Sequence, residues 1–293
     1  MEQETSVLRL VYPQWQGGDI SRLVTEIPDP AEASTGYCLG AQLLNFLAPD
    51  NGQKTRVVPV ATDAAERRSA DGVLDRDVIA AQTRAAMDIL EIERPRRIVT
   101  LGGECSVSVA PFTYLANEYD GDVAMVWIDA HPDITLPGDG YEGFHAMAVT
   151  ACMGLGDRKI VSELPARIAP SRILFVGLRD WERREIEIRQ RQYGIPHLSP
   201  AEVARDSDAL IGWLRACGAS KVVVHFDMDV LDPAEIVPAV GIVPGGMKID
   251  EVVRVIDDIA REKEIVGLTV AEAMPRIAIR LKNMLGRLPL LRE

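Results

Sequence analysis

The chain has 293 residues, 47% hydrophobic and 26% charged, with a formal net charge of −12, enough for one large α/β domain or two small ones and too apolar for a disordered segment. The acidic balance without any Lys/Arg cluster argues against a nucleic-acid partner, which needs a basic footprint, and no uninterrupted apolar span of about 18 residues predicts a membrane helix. Cys38, Cys105, Cys152 and Cys217 form neither a C-x-x-C pair nor a small-domain framework, and residues 1–12 carry Glu2 and Glu4 instead of a basic then apolar leader, so reduced thiols and a cytoplasmic location are expected.

Short β-branched runs alternate with helix-length stretches. Residues 7–11 read as a first strand, broken by residues 13–18. Pro28, Pro30, Gly36 and Gly40 mark a loop, followed by a helix near residues 41–47, and residues 56–60 read as a second strand. Residues 73–92 predict a helix from the spacing of Val78, Ile79, Ala86, Met87, Ile89 and Leu90. Residues 97–101 form a third strand running into Gly102-Gly103-Glu104-Cys105, with a helix over 106–117. The fourth strand is 123–128, and 143–153 is a helix of small residues (Ala146, Ala148, Ala151). Strand 173–178, a charged segment over 179–191, a short strand over 193–198 and a helix from Pro200 to about Ala216 follow. Then come strand 221–226, a helix over 250–261 with Asp250 near its start, suited to the helix dipole, strand 265–270 ending at Ala271-Glu272, and a closing helix over 276–291. This alternation predicts one three-layer α/β/α domain over residues 1–293, with a parallel sheet of about eight strands. Ligands in such sheets bind beyond the carboxyl ends of the strands.

Two strand ends carry metal-type chemistry. In Trp127-Ile128-Asp129-Ala130-His131-Pro132-Asp133, Asp129, His131 and Asp133 occupy every second position, and in an extended chain such residues share a face. Carboxylate plus imidazole suits a borderline-to-hard divalent ion; the alternative is a polar loop after a strand. In His225-Phe226-Asp227-Met228-Asp229-Val230-Leu231-Asp232-Pro233, Asp227 and Asp229 follow a buried apolar run. Two buried carboxylates need compensating positive charge, which two metal ions supply. Asp232 reads as organising the turn before Pro233.

These motifs resemble those of the arginase superfamily of ureohydrolases. Asp129-Ala130-His131-Pro132-Asp133 is similar to its D-A-H-x-D signature and Asp227 to Pro233 to its D-x-D-x-x-D-P signature. Gly102-Gly103-Glu104-Cys105-Ser106 lies where the family has G-G-D-H-S, and Glu272-Ala273-Met274-Pro275 resembles its late E-x-N-P segment. The resemblance implies two Mn²⁺ ions bridged by a hydroxide: one held by Cys105, Asp129, Asp133 and Asp227, the other by Asp129, His131, Asp227 and Asp229. Cys105 departs from the family's histidine. A thiolate favours Zn²⁺, Fe²⁺ or Co²⁺ over Mn²⁺, so three outcomes stand open: Cys105 ligates as thiolate, the first ion is weakly held, or Cys105 binds nothing. Hydroxyarginine hydrolases of the superfamily resemble this chain in carrying cysteine there.

The same resemblance implies a small cationic guanidino substrate, paired with Glu272, and a proton shuttle at His145. Glu182 and Glu185, within Arg179 to Glu185, are candidates for an α-ammonium or lie on a solvated face. Thr135 stands where arginases have asparagine, and Ile242 where a threonine is expected. His225 reads as packing or support behind the site, and His197 as an ordinary strand-end residue. Arginine, N-hydroxyarginine, agmatine and other guanidino compounds are all candidate substrates. A catalytically weak metal- or ligand-binding relative is the rival from another functional class. A homo-oligomer, trimer or hexamer, is expected by resemblance.

Overall fold

Strands joined through helix-length crossovers pair in parallel and are covered on both faces. The computed structural model describes residues 7–20, 23, 24, 27, 30–63 and 67–291; Glu2, Glu4 and Pro28 lie outside the described residues. The elements run β1 (Val7–Tyr12), α1 (Pro30–Leu47), β2 (Lys54–Val57), β3 (Ser69–Ala70), β4 (Val73–Leu74), α2 (Arg76–Glu93), β5 (Arg97–Gly102), α3 (Val109–Glu118), β6 (Val123–Ile128), α4 (Ala148–Cys152) and α5 (Arg158–Val161). They continue with β7 (Ile173–Val176), α6 (Arg184–Tyr193), β8 (His197–Leu198), α7 (Pro200–Val203), α8 (Asp208–Ala216), β9 (Lys221–Asp227), α9 (Ile249–Glu262), β10 (Glu264–Ala271) and α10 (Arg276–Leu285). Eight strands form one sheet in the order β2-β1-β5-β10-β9-β6-β7-β8, every pairing parallel; β3 and β4 make a separate antiparallel hairpin.

The three layers arise from the period of two. Along β6, Val123, Met125 and Trp127 pack with Ile79, Met87 and Leu90 of α2 and Phe112 and Leu115 of α3. The alternate residues Ala124, Val126 and Ile128 pack with Leu210 and Leu214 of α8 and Val252, Val255 and Ile259 of α9. Each larger aliphatic side chain among these contributes ~1.5–3 kcal/mol on burial, so β6 is fixed from both sides. That rigidity holds its carboxyl end, and Asp129 directly after it, in place.

Several boundaries differ from the sequence reading. Helix α1 begins at Pro30, where a ring without an N–H fits a first helical turn, and runs through the glycines read as loop. Gly40 is a packing glycine: a Cβ there would lie 1.8 Å from Ala273 O. Strand β2 covers 54–57 rather than 56–60. Residues 73–74 belong to the hairpin, and α2 starts only after Asp75 turns through a left-handed conformation (φ 52°). The expected helix over 200–216 is two helices, because Ser207 leaves helical geometry to bond Asp258 and Arg254 of α9. Residues 105–108 and 144–147 are 3₁₀ turns ahead of α3 and α4. Gly194 ends α6 with φ 68°, which confines β8 to two residues, and α10 stops at Leu285. Among the described residues no helix is long and apolar enough to cross a membrane, and all four cysteines are free.

Candidate metal centre and cleft

Strands β5, β10, β9 and β6 are the middle of the sheet, and their register brings their ends level. Trp127 pairs with His225 and Ile128 with Phe226; Ala271 pairs with Asp227, and Val270 with Leu101. Beyond β5 the chain turns at Gly103, where a Cβ would sit 1.7 Å from Gln14 O, so only glycine permits this approach. The Gly103 carbonyl then accepts the Glu272 N–H at 2.7 Å. Glu272 itself has φ 66°, which turns its side chain back toward β5. Its Oε1 accepts the Cys105 N–H at 3.0 Å.

Three sets of donor atoms lie mutually within 4.8 Å: Cys105, Asp129, His225 and Asp227; Asp129, His131 and Asp229; and Cys105, His145 and Glu272. The first two share Asp129. The donors are tied by hydrogen bonds: Cys105 Sγ to Asp227 Oδ2 at 3.0 Å, Trp127 Nε1 to Asp129 Oδ2 at 2.8 Å, and the Asp229 N–H to Asp227 Oδ1 at 2.6 Å. His131 Nδ1 lies 2.9 Å from Asp229 Oδ2.

Too many acids share this volume for their charges to coexist. Burial, then Asp229, raises the Asp129 carboxyl to about 7. Burial, then neighbouring carboxylates, pushes Asp133 and Asp227 well up, and burial with Asp227 does the same to the Cys105 thiol. Asp229 alone moves down: burial opposes ionisation, but the His131 imidazole outweighs it. His131 moves up, burial being outweighed by Asp229 and Asp129. Among the carboxylates and imidazoles of this cluster, Asp133 Oδ2 and His225 Nε2 are buried without a hydrogen-bond partner. Excess carboxylate with orphaned lone-pair atoms is a site built for added cations.

Cys105, His131, Asp133, Thr135, His145, Glu182, Asp227, Asp229 and Glu272, all singled out from sequence, line one cleft of about 120 Å³. Asp129 lies beneath it, 1% exposed. Glu185 does not line it: its side chain is 57% exposed and pairs with Arg183. Asp129, His131 and Asp133 are not brought together by an extended strand, because β6 ends at Ile128 and Asp133 has φ 48°; His131 and Asp133 nonetheless line the cleft, while Asp133 joins none of the three donor sets. Glu104 is buried, joins none of the donor sets and is held by Gln14 and Ser106. Sequence reasoning missed Tyr141, whose hydroxyl meets His145 Nε2 at 2.6 Å, and for which a lone aromatic in a glycine-rich loop was the only signal. It also set His225 behind the site, although His225 continues the period of two back from Asp227.

The Arginase family model matches residues 55–285. The chain belongs to the arginase family. Arginase from Saccharomyces cerevisiae is 26% identical over 253 residues, 82% of this chain and 74% of that protein. Arginase from Eremothecium gossypii is 30% identical over 61% of this chain, and the chain spans only 47% of its length. An N(1)-aminopropylagmatine ureohydrolase from Thermus thermophilus is 29% identical over 61% of this chain and 62% of its own. The solved structure of Entamoeba histolytica arginase with L-ornithine superposes with a TM-score of 0.79 at 20% identity, covering 97% of both chains. Proclavaminate amidino hydrolase from Streptomyces clavuligerus gives 0.66 at 18% identity, over 92% of this chain and 84% of that one. The arginase fold is thus shared nearly end to end. The two donor sets that share Asp129 are candidate ligand groups for a binuclear metal site, and the unpartnered Asp133 and His225 atoms beside them fit added cations.

Proposed function

We propose that this arginase-family chain is one catalytic domain that hydrolyses a guanidino compound, releasing urea (or hydroxyurea from an N-hydroxyguanidine) and an amine. The observation that carries the reading is that two donor sets sharing Asp129 open into the same cleft as Glu272 and His145. Cys105, Asp129, Asp133 and Asp227 would hold one divalent ion, and Asp129, His131, Asp227 and Asp229 the other. When bound, the pair supplies Lewis acidity and a water acidic enough to act as nucleophile at neutral pH. Manganese suits the oxygen-rich second set; the Cys105 thiol admits Zn²⁺, Fe²⁺ or Co²⁺ in the first.

The chain's residues do the rest. Glu272 offers a carboxylate to the guanidinium, a pairing strengthened by charge and geometry, and its bond from the Cys105 N–H fixes its orientation. His145 stands between Tyr141 Oη at 2.6 Å and Glu272 Oε1 at 3.5 Å. Burial lowers its proton affinity, but Tyr141 and Glu272 outweigh this and hold it high. It therefore carries the proton that the departing amine takes as the C–N bond breaks and the water oxygen bonds the carbon. Ile20 and Val240 on the cleft wall exclude bulk water, and Glu182 and Thr135 face the far end of the substrate. Thr135 Oγ1 lies 3.4 Å from Arg183. Mixed apolar and acidic walls favour agmatine-type or hydroxylated guanidines alongside arginine. A homo-oligomer, trimer or hexamer, in the cytoplasm is part of the same reading, supported by the family and by free thiols.

A panel of arginine, N-hydroxyarginine, agmatine and other guanidino compounds, each assayed with Mn²⁺, Co²⁺, Fe²⁺ or Zn²⁺ for urea or hydroxyurea, tests it. Turnover of one of them with two bound ions per chain is expected. Two ions and no turnover, or no ions, would favour the second reading, a catalytically weak relative, which the thiol-to-Asp227 hydrogen bond supports.

A further inference from the structure

We propose that His225 is a metal ligand, through Nε2, of the ion held by Cys105, Asp129 and Asp227. The inference rests on the cation-binding reading above, but not on turnover. His225 is fully buried in the middle of the sheet on β9. Its ring stacks on Trp127 with centroids 3.6 Å apart and planes within 11°, so its orientation is fixed. Nδ1 lies 2.8 Å from Ser108 Oγ; donation of Nδ1–H to that hydroxyl leaves the Nε2 lone pair free, as ligating imidazoles require. Nε2 meets no hydrogen-bond partner, and the His225 ring presents a nitrogen mutually within 4.8 Å of Cys105 Sγ and oxygens of Asp129 and Asp227; with Nδ1 engaged by Ser108, Nε2 is the nitrogen left to serve them. A buried nitrogen acceptor is costly to leave without a donor or an ion at its lone pair. None of the neighbouring carboxyl, thiol or hydroxyl groups reaches Nε2 with a hydrogen bond.

The consequence is that His225 takes the place that the family pattern gives to Asp133, leaving a four-donor shell of one sulfur, one nitrogen and two carboxylate oxygens, from the residues whose donor atoms lie mutually within 4.8 Å. Neutral imidazole adds a ligand without adding a fourth negative charge to the thiolate and the two carboxylates. Such a mixed shell suits Zn²⁺ or Co²⁺ in tetrahedral geometry more than Mn²⁺. The second set, Asp129, His131 and Asp229, keeps an oxygen-rich character. The two positions are therefore chemically unequal.

The test uses the full chain freed of metal and titrated with Co²⁺. Bound ions are counted by atomic emission, and paramagnetically shifted exchangeable imidazole N–H signals by proton NMR. Wild type is expected to bind two ions and show two such signals, one from each of His131 and His225. His225→Phe keeps the ring stack but loses the nitrogen. It should lose one signal and weaken one ion at least ~100-fold, since even partners outside the ligand shell cost 10–100-fold, with the other ion retained. Two ions in His225→Phe at wild-type affinity would overturn the assignment while leaving the two-ion reading intact. Wild type with a single ion still showing the His225 signal would support the assignment and overturn the two-ion reading; no bound Co²⁺ would overturn both. Should His225→Phe not fold, the wild-type spectrum decides: a signal count without His225, assigned by selective histidine labelling, refutes the ligand role.

Discussion

Replacing Asp129 by Asn isolates the electrostatic load of the centre. The Asp129 carboxyl sits at about 7 in the folded chain against an ordinary 3.8. Between those values the folded chain keeps a proton that the unfolded chain has released, so its stability falls as pH rises from about 4 to about 7 and levels off above. At ~1.4 kcal/mol per pH unit, that span is worth roughly 4 kcal/mol at pH 8. Asn carries no charge, but it cannot accept from both Trp127 Nε1 and the His131 N–H, which now reach Oδ2 and Oδ1. The donor left facing its amide costs ~1–3 kcal/mol. Metal-free Asp129→Asn should therefore be more stable than metal-free wild type at pH 8 by about 1–3 kcal/mol, raising Tm by several degrees. The gain should shrink at pH 5, where the wild-type carboxyl is already largely protonated. With divalent ions added the order should reverse, because only wild type gains from the cations. Thermal unfolding of chelator-stripped and ion-loaded protein at both pH values reads all four conditions. A metal-free variant no more stable than wild type at pH 8, or a difference independent of pH, would refute the electrostatic account.

Further outcomes are expected. Asp229→Ala removes the partner of His131 and a donor of the second set; one ion per chain should be lost in metal analysis and urea release should fall by ~10²-fold or more. Gly40→Ala drives a methyl into the Ala273 carbonyl, costing ~1–3 kcal/mol on thermal unfolding and raising KM, since Ala273 is next to Glu272. Tyr141→Phe takes away the hydroxyl on His145 Nε2; kcat should drop by up to about tenfold, and the alkaline limb of the pH–rate profile should move to lower pH because Tyr141 holds the His145 proton affinity up. Cys105→His should raise Mn²⁺ occupancy measured by atomic emission; unchanged occupancy would place Cys105 outside the metal shell.

Much of the site was legible because buried parallel strands read as continuous apolar runs, and polar residues directly after them mark the sheet's active edge. Cys105, Asp227, Asp229 and Glu272 come at the ends of β5, β9 and β10 in that manner, and the structure gathers them. What misled was treating spacing as geometry. The alternation of Asp129, His131 and Asp133 implied an extended chain, but the strand ends one residue earlier and the backbone is left-handed at Asp133, so His131 and Asp133 reach the cleft from a loop. The same periodicity holds on β9, where His225 and Asp227 are two apart on one strand and their donor atoms lie in one set, while the sequence alone reads His225 as packing or support behind the site. Helix α1 was hidden for the opposite reason: Gly36 and Gly40 look like breakers until Met274 and Ala273 occupy the space a side chain would need. Long-range contact decides such cases, and local pattern cannot supply it.

Trp127 gives the centre an optical voice of its own. Its indole is fully buried, faces His225 across 3.6 Å and binds Asp129 through its N–H. Any cation drawing electron density from Asp129 polarises that N–H and alters the field along the ring. Emission from this one indole should therefore track occupancy of the centre, reporting loading and loss of ions without an added dye.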